Sequence, residues 1–137
     1  IYLDRRMVMG ETKATIKREM DALVKGKKAA WEIGTLKRSS WTGMNLTYEP
    51  FHLPWSIDSG HVLSKACVAA FKAAFKKEPE KDYWDFSTNA VTPTAMGIPT
   101  IGFGPGEYKL AHMANESCEV GKIVDACEFY THLVGVL

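Results

Sequence analysis

Three kinds of feature are scarce in this 137-residue sequence, and each absence argues against a class of protein. Cysteine occurs only at Cys67, Cys118 and Cys127, without Cys-x-x-Cys spacing, which argues against a disulfide framework and a structural zinc finger. No apolar run reaches the ~18 residues of a membrane span, and the first residues lack the order of a secretory signal. The formal net charge is only +1, so nothing favours binding to nucleic acid or an anionic membrane. Unpaired thiols favour a cytoplasmic location.

What is present is typical of an ordinary soluble globular protein: 46% of the residues are apolar and 24% are charged. Alternation over residues 1–9 and the apolar run 29–36 predict two strands. Between them, Thr12 is a plausible N-cap for an amphipathic helix that Gly26 ends. Residues 37–57 are rich in Ser, Gly, Pro and aromatic residues, which predicts a linker ordered by its aromatic side chains.

Two further helices are predicted in the second half of the chain. One opens at Asp58-Ser59-Gly60 and ends at Pro79, and its stripe at helical spacing comprises Leu63, Ala66, Cys67, Ala70, Phe71, Ala74 and Phe75. The last helix follows Glu119, which suits the helix dipole. Its apolar stripe comprises Val120, Ile123, Val124, Cys127, Tyr130 and Val134.

The stretch Gly97–Glu116, GIPTIGFGPGEYKLAHMANE, carries the clearest candidate site. Residues 98–103 predict a short buried strand, and the Gly/Pro loop 104–106 ends it. Loops at strand ends commonly carry sites in α/β folds, and glycines let the backbone approach a ligand closely. His112 follows as the candidate metal ligand, acid or base, although a lone His after such a loop is more often structural.

Two motifs resemble the zinc-dependent aminoacylase, acetylornithine deacetylase, succinyl-diaminopimelate desuccinylase and carboxypeptidase G superfamily. They are Gly-Ile-Pro-Thr-Ile-Gly-Phe-Gly-Pro-Gly-Glu with the following Ala-His-x-x-Asn-Glu, and Tyr-Trp-Asp-Phe-Ser-Thr-Asn at residues 83–89. The resemblance implies that His112 is a zinc ligand. It also implies that Arg6, from the Asp-x-Arg strand of an inserted lid domain, holds a substrate carboxylate, whereas the residues alone favour a solvated Arg. Ala90 departs from the family, which usually has Gly there.

Further substrate contacts are assigned to five small residues at the two loops: Ser87, Thr88, Asn89, Gly104 and Gly106. A polar turn of this kind can stabilise an oxyanion, although small polar residues at turns usually serve only the backbone. No catalytic residue is assigned in this chain, since neither the His-x-Asp ligand motif nor a Glu-Glu pair for the general base occurs.

The expected fold is therefore α/β: the C-terminal part of a zinc-peptidase-like catalytic domain, a sheet flanked by helices, preceded by half of a small α/β lid domain. Residues 1–50 are expected to be the second half of the lid or dimerisation domain, and residues 51–137 the C-terminal catalytic segment. We expect a fragment of a longer enzyme, because the family's other ligands lie earlier in the chain.

The resemblance implies a metal-dependent deacylase or peptidase that cleaves an amide bond of an N-acyl amino acid or small peptide. The cofactor would be one or two zinc ions, with cobalt or manganese as alternatives. The partners would be the substrate, the remainder of the same protein and a second copy in a homodimer, with neither nucleic acid nor membrane. Alone, the fragment should be inactive. The alternative function is a non-catalytic binding or assembly module that folds with a partner chain.

Overall fold

The computed structural model describes all 137 residues, which divide into two compact units, Ile1–Ser56 and Ile57–Leu137. The boundary predicted from the sequence was residue 50. The elements of each unit are given separately below. None of the helices combines the length and the apolar character that crossing a bilayer requires.

The first unit contains helix α1, Lys13–Val24, at the position predicted. Thr12 is its N-cap: the Thr12 hydroxyl accepts a hydrogen bond from the Thr15 backbone N–H at 3.3 Å. In return, the Thr15 hydroxyl accepts one from the Thr12 N–H at 3.4 Å. This reciprocal cap satisfies two of the backbone donors that every helix start leaves free. Ile16 faces inward and is the buried residue of the helix.

The first unit also contains a hairpin that the sequence reading missed. Strands β1, Leu36–Ser39, and β2, Asn45–Tyr48, pair antiparallel with Leu36 opposite Tyr48. The turn between them closes with a bond from the Ser40 N–H to the Met44 carbonyl at 2.8 Å, and Gly43 adopts a φ of +84° there. Gly43 was the available signal, because a glycine with positive φ is typical of such hairpin loops.

The strands predicted over residues 1–9 and 29–36 are wrong. Residues 1–8 and 29–35 have no regular secondary structure, and β1 begins only where the second prediction ends. A strand is stable only when its backbone pairs with a neighbour, and the first nine residues have none. Side chains hold them instead, as the Arg5 guanidinium is paired with the carboxylates of Glu11 and Glu19 at 2.6 and 2.9 Å.

The second unit is built on helices α2, Val62–Phe75, and α4, Val120–Val136, which pack against each other. The inward stripe predicted for α2 is confirmed, since every member is buried or half-buried. Helix α2 ends at Lys76 with a left-handed φ of 56°, before the predicted stop at Pro79. The core comprises Cys67, Ala70 and Phe129, packed against the half-buried Leu63, Phe71, Phe75, Phe103 and Leu133.

Helix α4 forms where the sequence places it, but the stripe that marks it is not its packed face. Ala126 and Phe129 are buried at 5% and 2% exposure, and the half-buried Leu133 lies beside them. The members of the predicted stripe are all exposed: Val120, Ile123, Val124, Cys127, Tyr130 and Val134. Both sides of α4 are apolar, so periodicity could not tell which one α2 would cover.

Between these helices the chain is mostly irregular. It contains the single-turn helix α3, Val91–Ala95, and a short 3₁₀ helix, Tyr108–Leu110. The buried strand predicted at residues 98–103 is wrong: this segment has no regular structure, and Ile98 and Ile101 are exposed. The second unit contains no strand with which it could pair.

Candidate functional site

His112 lies in a tight double turn that follows the 3₁₀ helix. Both His112 and Asn115 have a φ of 63°. This is the left-handed backbone conformation, which residues other than glycine and asparagine rarely adopt. Glu116 stabilises the turn, because its Oε2 accepts a hydrogen bond from the His112 backbone N–H at 3.2 Å. The Glu116 carboxylate therefore binds the backbone of His112. The imidazole itself is at the surface.

Aromatic residues from the segment 84–86 support this turn. Phe86 stacks between Trp84 and Tyr108, with ring centroids 5.6 and 5.2 Å apart, and meets the His112 ring edge-on at 6.3 Å. The contact between Phe86 and His112 was not predicted from the sequence, because it joins residues that are far apart in the chain.

A polar contact also links the two segments. The Tyr108 hydroxyl donates to Asp85 Oδ2 at 2.8 Å and accepts from the Asp85 N–H at 3.2 Å. The neighbouring Asp85 carboxylate raises the pKa of Tyr108 above its ordinary value. Gly102 packs against the end of the Trp84 ring, and a Cβ at position 102 would collide with that ring. A larger residue at 102 would therefore displace Trp84 from its position.

The polar turn of Ser87, Thr88 and Asn89 leads into α3. The Thr88 hydroxyl accepts a bond from the Ala90 N–H at 3.2 Å, and the Thr88 and Asn89 carbonyls accept bonds from the first residues of α3. Thr88 thus serves the backbone, as small polar residues at turns usually do. The side chains of Ser87 and Asn89 remain exposed.

Gly104 and Gly106 line an open hollow of about 210 Å³ between the ends of α2 and α4. Its apolar side is formed by Phe71, Phe75 and Phe103, and its rim includes Lys77 and Lys122. Lys122 is paired with Glu107 at 2.9 Å, and this contact lowers the pKa of the Glu107 carboxyl. His112 is not among the residues that line the hollow.

Arg6 lies in the first unit, whereas the other candidate residues lie in the second. Of the two adjacent arginines, Arg5 is occupied by two carboxylates, and the Arg5 pKa is raised by them. The Arg6 guanidinium has only a long contact of 3.4 Å with Asp4, and it is well exposed. Arg6 is therefore the arginine that can accept a further carboxylate.

The predicted metal position offers one donor, the imidazole of His112. The exposed His112 imidazole suits a single zinc ligand, but no group of three or more His, Cys, Asp or Glu side chains in the structure could hold a metal.

Comparison with known proteins finds a relative but no family. No family model matches the sequence, and no solved structure matches it. The chain is 36% identical over 133 residues to "Uncharacterized protein YgeY" of Escherichia coli K12, and equally so to that protein of strain O157:H7. The match covers 95% of this chain but only 33% of either relative. The chain therefore spans about a third of the length of the curated relatives it matches.

Proposed function

We propose that this chain is the C-terminal part of a zinc-dependent amidohydrolase or peptidase that cleaves an amide bond of an N-acyl amino acid or small peptide. His112 supplies one metal ligand, and the remaining ligands and the general base come from the rest of a longer protein. The enzyme works in the cytoplasm, which the three free thiols support, and it forms a homodimer. Bound zinc polarises a substrate carbonyl and lowers the pKa of a bound water.

The geometry of His112 is the observation that carries this proposal. A left-handed φ costs a non-glycine residue about 1–2 kcal/mol, and such strain tends to persist at functional sites. Here Glu116 holds the backbone and Phe86 bounds the ring. The turn thus presents an exposed imidazole in a defined orientation, with the neighbouring carboxylate bound to the backbone instead of to the ring. This arrangement supports a role for His112 as one ligand of a metal whose other ligands come from elsewhere in the protein.

The residues assigned to substrate contacts lie at three separate places in the chain. Arg6 has an exposed guanidinium with only a long contact to Asp4, and its planar fork suits a carboxylate. It belongs to the unit that resembles a lid. Ser87 and Asn89 offer exposed polar side chains beside α3, while Gly104 and Gly106 leave open backbone next to the hollow. None of these groups transfers a proton in the proposal, because their role is to position the substrate.

The test uses a hybrid protein in which this chain replaces the matched 133 residues of the E. coli relative. We expect purified hybrid to contain zinc, cobalt or manganese in stoichiometric amount by mass spectrometry, and His112→Ala to lose most of it. Alanine carries the same backbone strain as histidine at this φ, so the fold should be unaffected. His132→Ala, which changes an exposed histidine on α4, is the matched control. Unchanged metal content in His112→Ala would refute the assignment.

A second candidate is a non-catalytic assembly module that folds with a partner chain. The exposed apolar side of α4 favours it, since such a surface suits association. Hydrolysis of N-acyl amino acids and dipeptides by the zinc-loaded hybrid distinguishes the two functions. We expect turnover by the hybrid and none by the 137-residue chain alone, because one imidazole does not make a hydrolytic site.

A further inference from the structure

Helix α4 has two apolar sides, and only one of them is covered. Ala126, Phe129 and Leu133 face α2, and Asp125, Glu128 and His132 form a narrow polar stripe. We call the remaining side the outer face of α4, and it consists of Val120, Ile123, Val124, Cys127 and Val134. The exposure of its valines and isoleucine is 75%, 45%, 60% and 78% in chain order. A helix that is apolar on nearly all sides is typical of a buried layer.

The size of the outer face matches an interaction surface. Its exposed side chains amount to several hundred Å² of apolar area, and Thr131 lies between Cys127 and Val134 on the same side of the helix. Patches of about 300–600 Å² are the largest found on typical monomers, and they are often functional.

The total surface indicates which partner covers the face. The chain exposes 11,188 Å², whereas two independent folded units with the masses of these two would together expose about 8,600 Å². The excess of roughly 2,600 Å² is about three times the ~800 Å² that one partner contributes to a standard interface. Exposed large apolar residues also occur in both units, from Leu3 and Trp41 to Val134. One dimer contact would leave most of this excess uncovered.

We propose that the outer face of α4 packs against a second apolar layer, supplied by the part of a longer polypeptide that corresponds to the other two thirds of the E. coli relative. The relative carries the matched stretch together with that additional chain, so a layer of sufficient size is available in the same molecule. The proposal goes beyond the metal chemistry and does not depend on it. In this arrangement α4 is a central helix between α2 and the second layer.

Cys127 provides a direct probe, because it is exposed in the middle of the outer face. In the 137-residue chain we expect a maleimide to modify Cys127 at the rate of an open thiol. In the hybrid protein, modification should slow at least about 100-fold, since it then requires local opening, and it should recover in denaturant. Cys67 is the slow reference in both proteins, because it is buried and its burial raises the thiol pKa.

The matched control is Glu128→Cys, which places a thiol on the polar stripe next to the outer face. This thiol should react at the open rate in both proteins. Equal reactivity of Cys127 in the chain and in the folded hybrid would overturn the proposal. Concentration-dependent protection of Cys127 in the 137-residue chain, together with sedimentation as a dimer, would also overturn it, because a second copy would then be the occupant.

If the hybrid does not accumulate, the E. coli relative itself provides the measurement. Cysteines are introduced at its residues aligned with Val124 and Glu128, and the labelled peptides are quantified by mass spectrometry. We expect the cysteine aligned with Val124 to be protected from modification and the cysteine aligned with Glu128 to react at the open rate. If both cysteines react at the open rate, the second layer is refuted. Loss of zinc from the hybrid with Cys127 still protected would refute the proposed function alone, whereas an open Cys127 in a zinc-loaded hybrid would refute only this inference.

Discussion

Replacement of Phe129 by alanine tests which side of α4 forms the core of the second unit. Phe129 is 2% exposed and stacks on Phe103 with ring centroids 3.9 Å apart. Removing a buried Phe side chain costs about 3–5 kcal/mol, from lost burial and the cavity that remains. A unit of this size has a total stability of roughly 4–12 kcal/mol at about 0.05–0.15 kcal/mol per residue. Phe129→Ala should therefore remove a large part of the stability of the unit.

The matched control is Val134→Ala on the same helix. Val134 is 78% exposed, and alanine is the better helix former, so stability should stay within about 0.5 kcal/mol or rise slightly. Both variants are compared with the unmodified 137-residue chain by urea unfolding, followed by circular dichroism. A small loss for Phe129→Ala combined with a large loss for Val134→Ala would show instead that the stripe predicted from the sequence is the packed face of α4.

Three further predictions concern the first unit. Thr12→Ala removes the N-cap of α1 and should lower the free energy of unfolding, measured by thermal unfolding, by about 1 kcal/mol. Thr12→Ser should keep most of the stability that the cap contributes. Arg5 lowers the pKa of the Glu11 carboxyl. The stability that this ion pair contributes is therefore fully present above the ordinary carboxyl pKa and is lost as the pH falls through the lowered pKa of Glu11. Glu11→Gln should make the stability depend less on pH in that acid range. Arg6→Ala in the longer enzyme should lower kcat/KM about ten- to a hundredfold, as expected for a charge-assisted pair of roughly 1.5–3 kcal/mol, and should abolish any preference for free over amidated substrate carboxylates. An unchanged preference would leave Arg6 as a structural residue only.

Local signals predicted the helices well. The Thr12 cap, the apolar stripe of α2 and the position of α4 depend on residues three or four apart, and short-range periodicity records such relations directly.

The candidate site was readable only as a list of residues. His112 could be selected from the sequence, but its positive φ, the bond from its N–H to Glu116 and its contact with Phe86 could not. The pairing of Asp85 with Tyr108 and the close contact of Gly102 with Trp84 join positions that are distant in the chain. No local pattern encodes such pairs.

By itself, the sequence determined where helices begin and which residues can carry chemistry, because caps, periodicity and side-chain types act over a few neighbouring positions. Only the tertiary structure decided which apolar side of α4 meets α2, and which arginine of the adjacent pair is held by two carboxylates. It also decided that residues 1–9, 29–35 and 98–103 are not strands. A strand requires a partner backbone, and a helix with two apolar sides turns toward whichever surface is present to cover it.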